Sequence, residues 1–319
     1  MDSVLPTGSI LDKVSVHTYD QSERLCNNVK EMIFSFGLGR LGHFNGLESS
    51  SVKKLSFPSD KYVQEEALYI SSLEELEVCP NSKKVRRLKY VVPGSGKTYE
   101  FNELKKLRVF NSTITNELIT STEDPANSLL EKISIEGGQF DENDKAPFRG
   151  FKLLKEVELN LETIPFEVFK DSVVETCIIG RNVKTITPGA FINSNIKTFI
   201  VSEPSKFFVD EQGWLCERLE DNQVKIIATL TQDLEYNKTA LDLRGYNNDG
   251  SFSIAGYAFY GSNFGAVRIP QNVFEIGARA FADSRYLSYL SIYNLNLLGE
   301  NHTAFYNCYS LLHVVSSIG

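Results

Sequence analysis

A short phrase, apolar-x-x-apolar-x-apolar, recurs along this chain and constrains its fold more than any other feature. It reads Leu11/Val14/Val16, Val29/Met32/Phe34, Val52/Leu55/Phe57, Leu73/Leu76/Val78, Leu104/Leu107/Val109 and Leu130/Ile133/Ile135. It continues as Leu154/Val157/Leu159, Val174/Cys177/Ile179, Ile196/Phe199/Val201, Phe264/Val267/Ile269 and Leu287/Leu290/Ile292, with degenerate copies at Leu241/Leu243 and Leu311/Val314. Most successive copies lie about 20–26 residues apart, the period of a solenoid repeat. The last two apolar residues alternate with polar ones, as in Lys132-Ile-Ser-Ile135. Period two predicts a short half-buried strand with its polar partners facing solvent. One such strand per coil builds a parallel sheet, because no coil buries its apolar side alone. Cys177 occupies an apolar position and reads as a small buried hydrophobe.

A second half-coil is clearest toward the C-terminus: Ile186-Thr-Pro-Gly-Ala-Phe191, Ile254-Ala-Gly-Tyr-Ala-Phe259 and Ile276-Gly-Ala-Arg-Ala-Phe281. The phenylalanine precedes the next strand by a nearly fixed offset, which predicts a stacked spine of rings inside the coil, each burying about 1.5–3 kcal/mol. Segments such as Val267-Arg-Ile-Pro-Gln-Asn-Val-Phe-Glu-Ile276 and Ala304-Phe-Tyr-Asn-Cys-Tyr-Ser-Leu-Leu-His-Val314 resemble the BspA-like leucine-rich-repeat family. The expectation is a mainly β, leucine-rich-repeat solenoid of about 12–13 coils with a curved parallel sheet and two hairpin insertions. It would form a single domain over 1–319, with degenerate coils over 1–160 and clear BspA-like coils over 160–319. The resemblance implies a surface or secreted protein that works by adhesion or by binding other proteins.

The insertions fall where the rhythm breaks, at about 83–101 and 207–229. The first flanks a Pro-Gly-Ser-Gly turn at Pro93–Gly96, and the second has Asp221-Asn222 near its turn. Gly94-Ser-Gly-Lys-Thr98 superficially resembles a phosphate-binding loop, but Val91 stands where that motif needs its first glycine. The basic run Lys83–Lys89 reads as a solvated strand edge. The acidic loop Asp141-Glu-Asn-Asp144 lacks the glycine and distal glutamate of a calcium loop. The histidines His17, His43, His302 and His313 and the five cysteines form no metal-ligand or nucleophile constellation. No cofactor, metal site or enzymatic activity is expected.

A net charge of −8 argues against a nucleic-acid partner, and no apolar run reaches the length of a membrane span. Three glycosylation sequons, at Asn111, Asn237 and Asn301, are no more than chance provides. The outward strand positions are charged early, as at Lys54, Glu75, Glu77, Lys106, Arg108, Lys132, Glu156 and Glu158, and become apolar and aromatic later. The candidate binding residues on the concave face are therefore Ile178, Ile200, Arg268, Tyr289, Tyr293 and His313, facing a protein or glycan ligand. No polar cap follows the last phrase, so self-association or continuation of the array at that end is a further expectation. The family resemblance points to the cell surface or secretion. The absence of a signal-peptide pattern keeps an intracellular interaction scaffold as the alternative.

Overall fold

A computed structural model describes residues 13–16, 31–34, 52–56, 73–78, 90–91, 98–99, 103–120, 124–230, 240–247, 250–298 and 303–316. The chain divides into two compact units, Met1–Thr163 with Lys170–Val174, and Ile164–Phe169 with Glu175–Gly319.

In the first unit the repeated phrase forms a parallel ladder. Strands Lys13–Val16, Glu31–Phe34, Lys54–Ser56, Glu75–Val78, Lys106–Phe110, Lys132–Glu136 and Glu156–Asn160 pair in chain order. The register places Leu55, Leu76, Leu107, Ile133 and Val157 side by side. All five are buried, as are Val52, Leu73, Leu104, Leu130 and Leu154 just before the strands. A slip of one residue would turn this apolar column to solvent, so the alternation itself fixes the register. The antiparallel pairing expected of the first insertion joins Tyr90–Val91 to Thr98–Tyr99. The Lys83–Lys89 run and His17, His43 and His302 lie outside the described residues.

Two features of this unit are not written in the phrase. Thr113–Ile114 pairs in parallel with Gln139–Phe140, a second, shorter ladder. Between these, Asn116–Ile119 makes one helical turn, capped by Thr115, whose hydroxyl accepts from the Leu118 amide at 3.0 Å. The acidic loop is tied into this structure. Asp144 accepts from the Asn116 amide and, at 2.6 Å, from Arg149, while Asp141 accepts from the Asn143 amide at 2.8 Å.

The second unit holds three larger pieces. Thr176–Ile179 pairs in parallel with Thr198–Val201. Ala240–Asp242, Ala266–Ile269, Tyr289–Ile292 and His313–Ser316 form a four-stranded parallel sheet. The second insertion is more than a hairpin. Phe207–Val209, Leu215–Arg218 and Val224–Ala228 form an antiparallel meander whose last strand pairs in parallel with Phe252–Ile254, and that strand with Val273–Ile276. Asp221 and Asn222 both take positive φ at 55° and 57°, the conformation of a tight primed hairpin turn.

The phenylalanine spine is present in this unit. Phe169 stacks on Phe191 with centroids 6.0 Å apart, Phe259 on Phe281 at 4.9 Å, and Phe281 on Phe305 at 5.0 Å. The glycines beneath the rings are required by close backbone approach. A Cβ on Gly277 would lie 2.3 Å from the Gly256 nitrogen. Where the insertion interrupts the series, Trp214 packs edge-on against Phe259 at 5.2 Å. In the last coil the apolar column is open: Val314 is 50% exposed, although its register partner Leu290 is fully buried.

Candidate binding surface

The outward face of the first unit is a self-neutralising lattice. Lys54 lies 3.6 Å from Glu31 and 3.8 Å from Glu75, and Glu75 lies 2.6 Å from Lys106. Arg108 lies 2.6 Å from Glu136 and 3.8 Å from Glu77, and Lys132 lies 2.6 Å from Glu156. The column just before the strands alternates as well, with Glu74 2.9 Å from Lys53 and 3.2 Å from Lys105. The bonds from Lys53 and Lys105 hold the Glu74 carboxyl below the usual range. Each of these charges already has an opposite neighbour one coil away, which leaves little unbalanced potential for a partner.

The second unit presents a different surface. Ile178 sits in register with Ile200, which is 46% exposed, and Thr176 with Thr198. Arg268, Tyr289 and His313 belong to the four-stranded sheet, with Tyr293 immediately after its third strand. The structure thus brings Ile178 to Ile200 on one sheet and Arg268, Tyr289, Tyr293 and His313 together on another. On the latter, Tyr289 is flanked in register by Ala266 and His313, and Arg268 by Asp242 and Ser291. Beside the small Ala266 and Ser291, Tyr289 and Arg268 both remain partly exposed. Tyr293 is 42% exposed beside them.

The sequence did not single out Asp242 and Arg244. Arg244 grips both carboxylate oxygens of Asp242 through Nε at 2.9 Å and Nη2 at 2.6 Å, and Arg268 lies 3.9 Å away. The Arg244 bond holds the Asp242 carboxyl below its usual range. The signal that could have found the pair is the Asp-x-Arg spacing on an edge strand, legible only once Leu241 and Leu243 are placed in the core.

One further cluster carries titratable groups. Asp210 accepts from the Tyr246 hydroxyl at 2.9 Å, and the Cys216 thiol lies 3.3 Å from that hydroxyl. Burial, reinforced by Asp210, pushes the Cys216 thiol up, and burial alone does so for Cys177. A thiol held protonated is a poor nucleophile, so this cluster ties the insertion to the coil. Among the described residues, no group of His, Cys, Asp and Glu is placed to hold a metal ion, and no helix is long and apolar enough to cross a membrane.

The coil sequence matches the family described as BspA type leucine rich repeat region, in six copies over residues 97–200 and 250–317. The chain belongs to this BspA-type family. Membership places it among repeat modules that bind proteins. No curated protein matches the sequence. Among solved structures, the chain is similar to a leucine-rich repeat protein from Eubacterium ventriosum, at 14% identity and a TM-score of 0.38, over 67% of this chain and 66% of that one. It is also similar to a leucine rich cell surface protein from Faecalibacterium prausnitzii, at 12% identity and a TM-score of 0.37, over 98% and 89% of the two chains. A third is the pneumococcal vaccine antigen PcpA, at 16% identity and a TM-score of 0.35, over 86% of this chain and 53% of that one. The chain thus spans less than two thirds of the first and third of these proteins.

Proposed function

We propose that this BspA-type protein is a non-enzymatic binding module that holds a protein partner on the outward face of its C-terminal four-stranded sheet, at a cell surface or in secretion. The observation that carries the reading is the grouping of Arg268, Tyr289, Tyr293 and His313 on that sheet. Tyrosine supplies large contact area with few rotors, and tyrosine and arginine are both enriched among the residues that dominate interface energetics. Among its described residues, the first unit offers no comparable patch, because its outward charges pair with one another. Ile178 and Ile200 form a smaller apolar pair that would extend the contact.

The test compares capture of surface-exposed proteins by the wild type, a Tyr289→Ser/Tyr293→Ser variant and an Ile178→Ser/Ile200→Ser variant, each verified as folded by circular dichroism. A partner identified with the wild type is then purified and titrated against all three. The first variant is expected to weaken binding roughly tenfold or more, and the second to weaken it less. Equal affinity of the tyrosine variant and the wild type would overturn the placement of the site.

A further inference from the structure

We propose that the turn side of the second unit carries a separate binding pocket for a single neutral, hydroxyl-rich ring of the saccharide kind. The pocket exists because the insertion breaks the spine. Phe169 and Phe191 form one stack and Phe259, Phe281 and Phe305 another. Between the Phe191 and Phe259 turns the chain leaves the repeat and returns along Ile227–Thr229, where Thr229 donates through both its amide and its hydroxyl to the Ala258 carbonyl. The step left between the two turns is a cavity of about 220 Å³.

The chemistry of its walls selects the occupant. Among the described residues, no Asp, Glu, Lys, Arg or His lines the cavity directly, so an ionised ligand would give up hydration without a charged partner in contact. Two tyrosines, Tyr257 and Tyr260, form one wall, their centroids 5.8 Å apart and their planes tilted by 48°. The Tyr260 hydroxyl donates to Asp283, and the Arg279 guanidinium lies 6.0 Å from the Tyr257 ring centroid, so both rings have fixed polar neighbours. Asn193 and Thr229 supply polar groups around the rim. The Asn193 amide uses one N–H on Glu167 at 2.8 Å, and an amide has a second N–H and an acceptor oxygen. A pyranose matches this set, with a C–H face to lie on a tyrosine ring and hydroxyls at its edge to meet the amide and the hydroxyls. Sites for larger ligands run to about 300–1,000 Å³, so this cavity takes one ring, either a free sugar or the end residue of a glycan.

The experiment is saturation-transfer NMR of the full chain with the methyl glycosides of glucose, galactose, mannose, fucose and N-acetylglucosamine. At least one is expected to bind with a Kd on the order of 1–10 mM. N-acetylneuraminic acid, glucose 6-phosphate, and the N-acetyl amides of glutamine and phenylalanine are expected to bind at least about tenfold more weakly. Tyr260→Ala should weaken binding roughly tenfold or more, and Tyr260→Phe, which keeps the ring, should restore it to within about threefold. The bound sugar linked through O1 to a polymer distinguishes the sources: retention of the polymer identifies a glycan end, and binding of the free ring alone a soluble sugar. The Tyr289→Ser/Tyr293→Ser variant should bind the glycoside as the wild type does, which separates this site from the sheet face. No saturation-transfer signal from any neutral glycoside at about 10 mM, tighter binding of an amide or a charged sugar, or full affinity in a folded Tyr260→Ala variant would overturn the proposal.

Discussion

The rings of Phe259 and Phe281 lie 4.9 Å apart with planes 3° from parallel, and both side chains are completely buried. Phe305 repeats the relation on Phe281 at 5.0 Å and 3°, but is only half-buried. Removing the middle ring leaves a cavity closed on both sides, which neighbouring coils cannot fill by sliding. Phe281→Ala is therefore expected to destabilise the protein by about 3–5 kcal/mol, and Phe305→Ala by clearly less. Urea unfolding of the two variants checks the ranking. Equal costs would mean that burial along the spine does not set its strength.

A second prediction concerns the lattice of the first unit. Glu75 stands in register between Lys54 and Lys106. Glu75→Lys would place four lysines in a row, since Lys106 is already in register with Lys132, and like charges directly opposite are unfavourable by roughly 0.2–1 kcal/mol per pair. Adding Lys106→Glu should recover part of the loss, because it restores one pair and faces Lys132 on its other side. Thermal unfolding at low salt and at about 1 M salt, where screening acts within about 3 Å, supplies the control. A deficit that does not shrink in salt would show that packing, not charge, was disturbed.

Much of this architecture was legible because the repeat states it many times. Cys177 was readable as core since it falls where the flanking coils carry Val157 and Phe199, and it is fully buried. The phenylalanine offset gave the spine, and Asp221-Asn222 gave the turn between Leu215–Arg218 and Val224–Ala228. The two-residue ladder of Thr113–Ile114 with Gln139–Phe140 was not readable, since two residues carry no periodicity. Trp214 was likewise hidden: only the placement of the insertion shows that it packs edge-on against the spine at Phe259. The candidate site was legible residue by residue but not as a group. Pattern alone put Ile178, Ile200, Arg268 and Tyr289 on one kind of position, whereas the meander begun at Phe207 assigns them to two sheets.

The Tyr260–Asp283 pair predicts a stability plateau with two edges. The Tyr260 hydroxyl, and then the Asn307 amide, hold the Asp283 carboxyl below the usual carboxylate range. The same bond, and then burial, push Tyr260 up to about 12. The carboxylate's contribution is complete above its unfolded value of about 3.9 and fades as the pH falls through its lower folded value. The phenol's is complete below about 10 and fades as the pH rises through about 12. The Tm difference between wild type and Tyr260→Phe should therefore be widest between about pH 4 and 10 and narrow on both sides. A difference independent of pH would rule out this bond as its source.

Asp210 makes the most demanding case, because one carboxylate serves the turn and the coil together. Its Oδ1 accepts from the Gln212 amide at 3.0 Å and the Trp214 amide at 2.8 Å, and its Oδ2 accepts from the Tyr246 hydroxyl. Asp210→Ala would leave the Tyr246 hydroxyl beside the Cys216 thiol and loosen the turn that aims Trp214 at Phe259. The combined cost is expected to be roughly 2–4 kcal/mol. Asp210→Asn should cost less, since its amide oxygen still accepts from the turn. A chemical readout separates this account from general destabilisation. Cys216 is buried with its thiol pushed up, so iodoacetamide should leave it unmodified in the native wild type. In Asp210→Ala it should be labelled well before Cys177, which is buried on the separate strand Thr176–Ile179. Peptide mapping by mass spectrometry follows both sites in one sample. Simultaneous labelling would mean that the whole unit opens, and that the carboxylate does not act as a local tie.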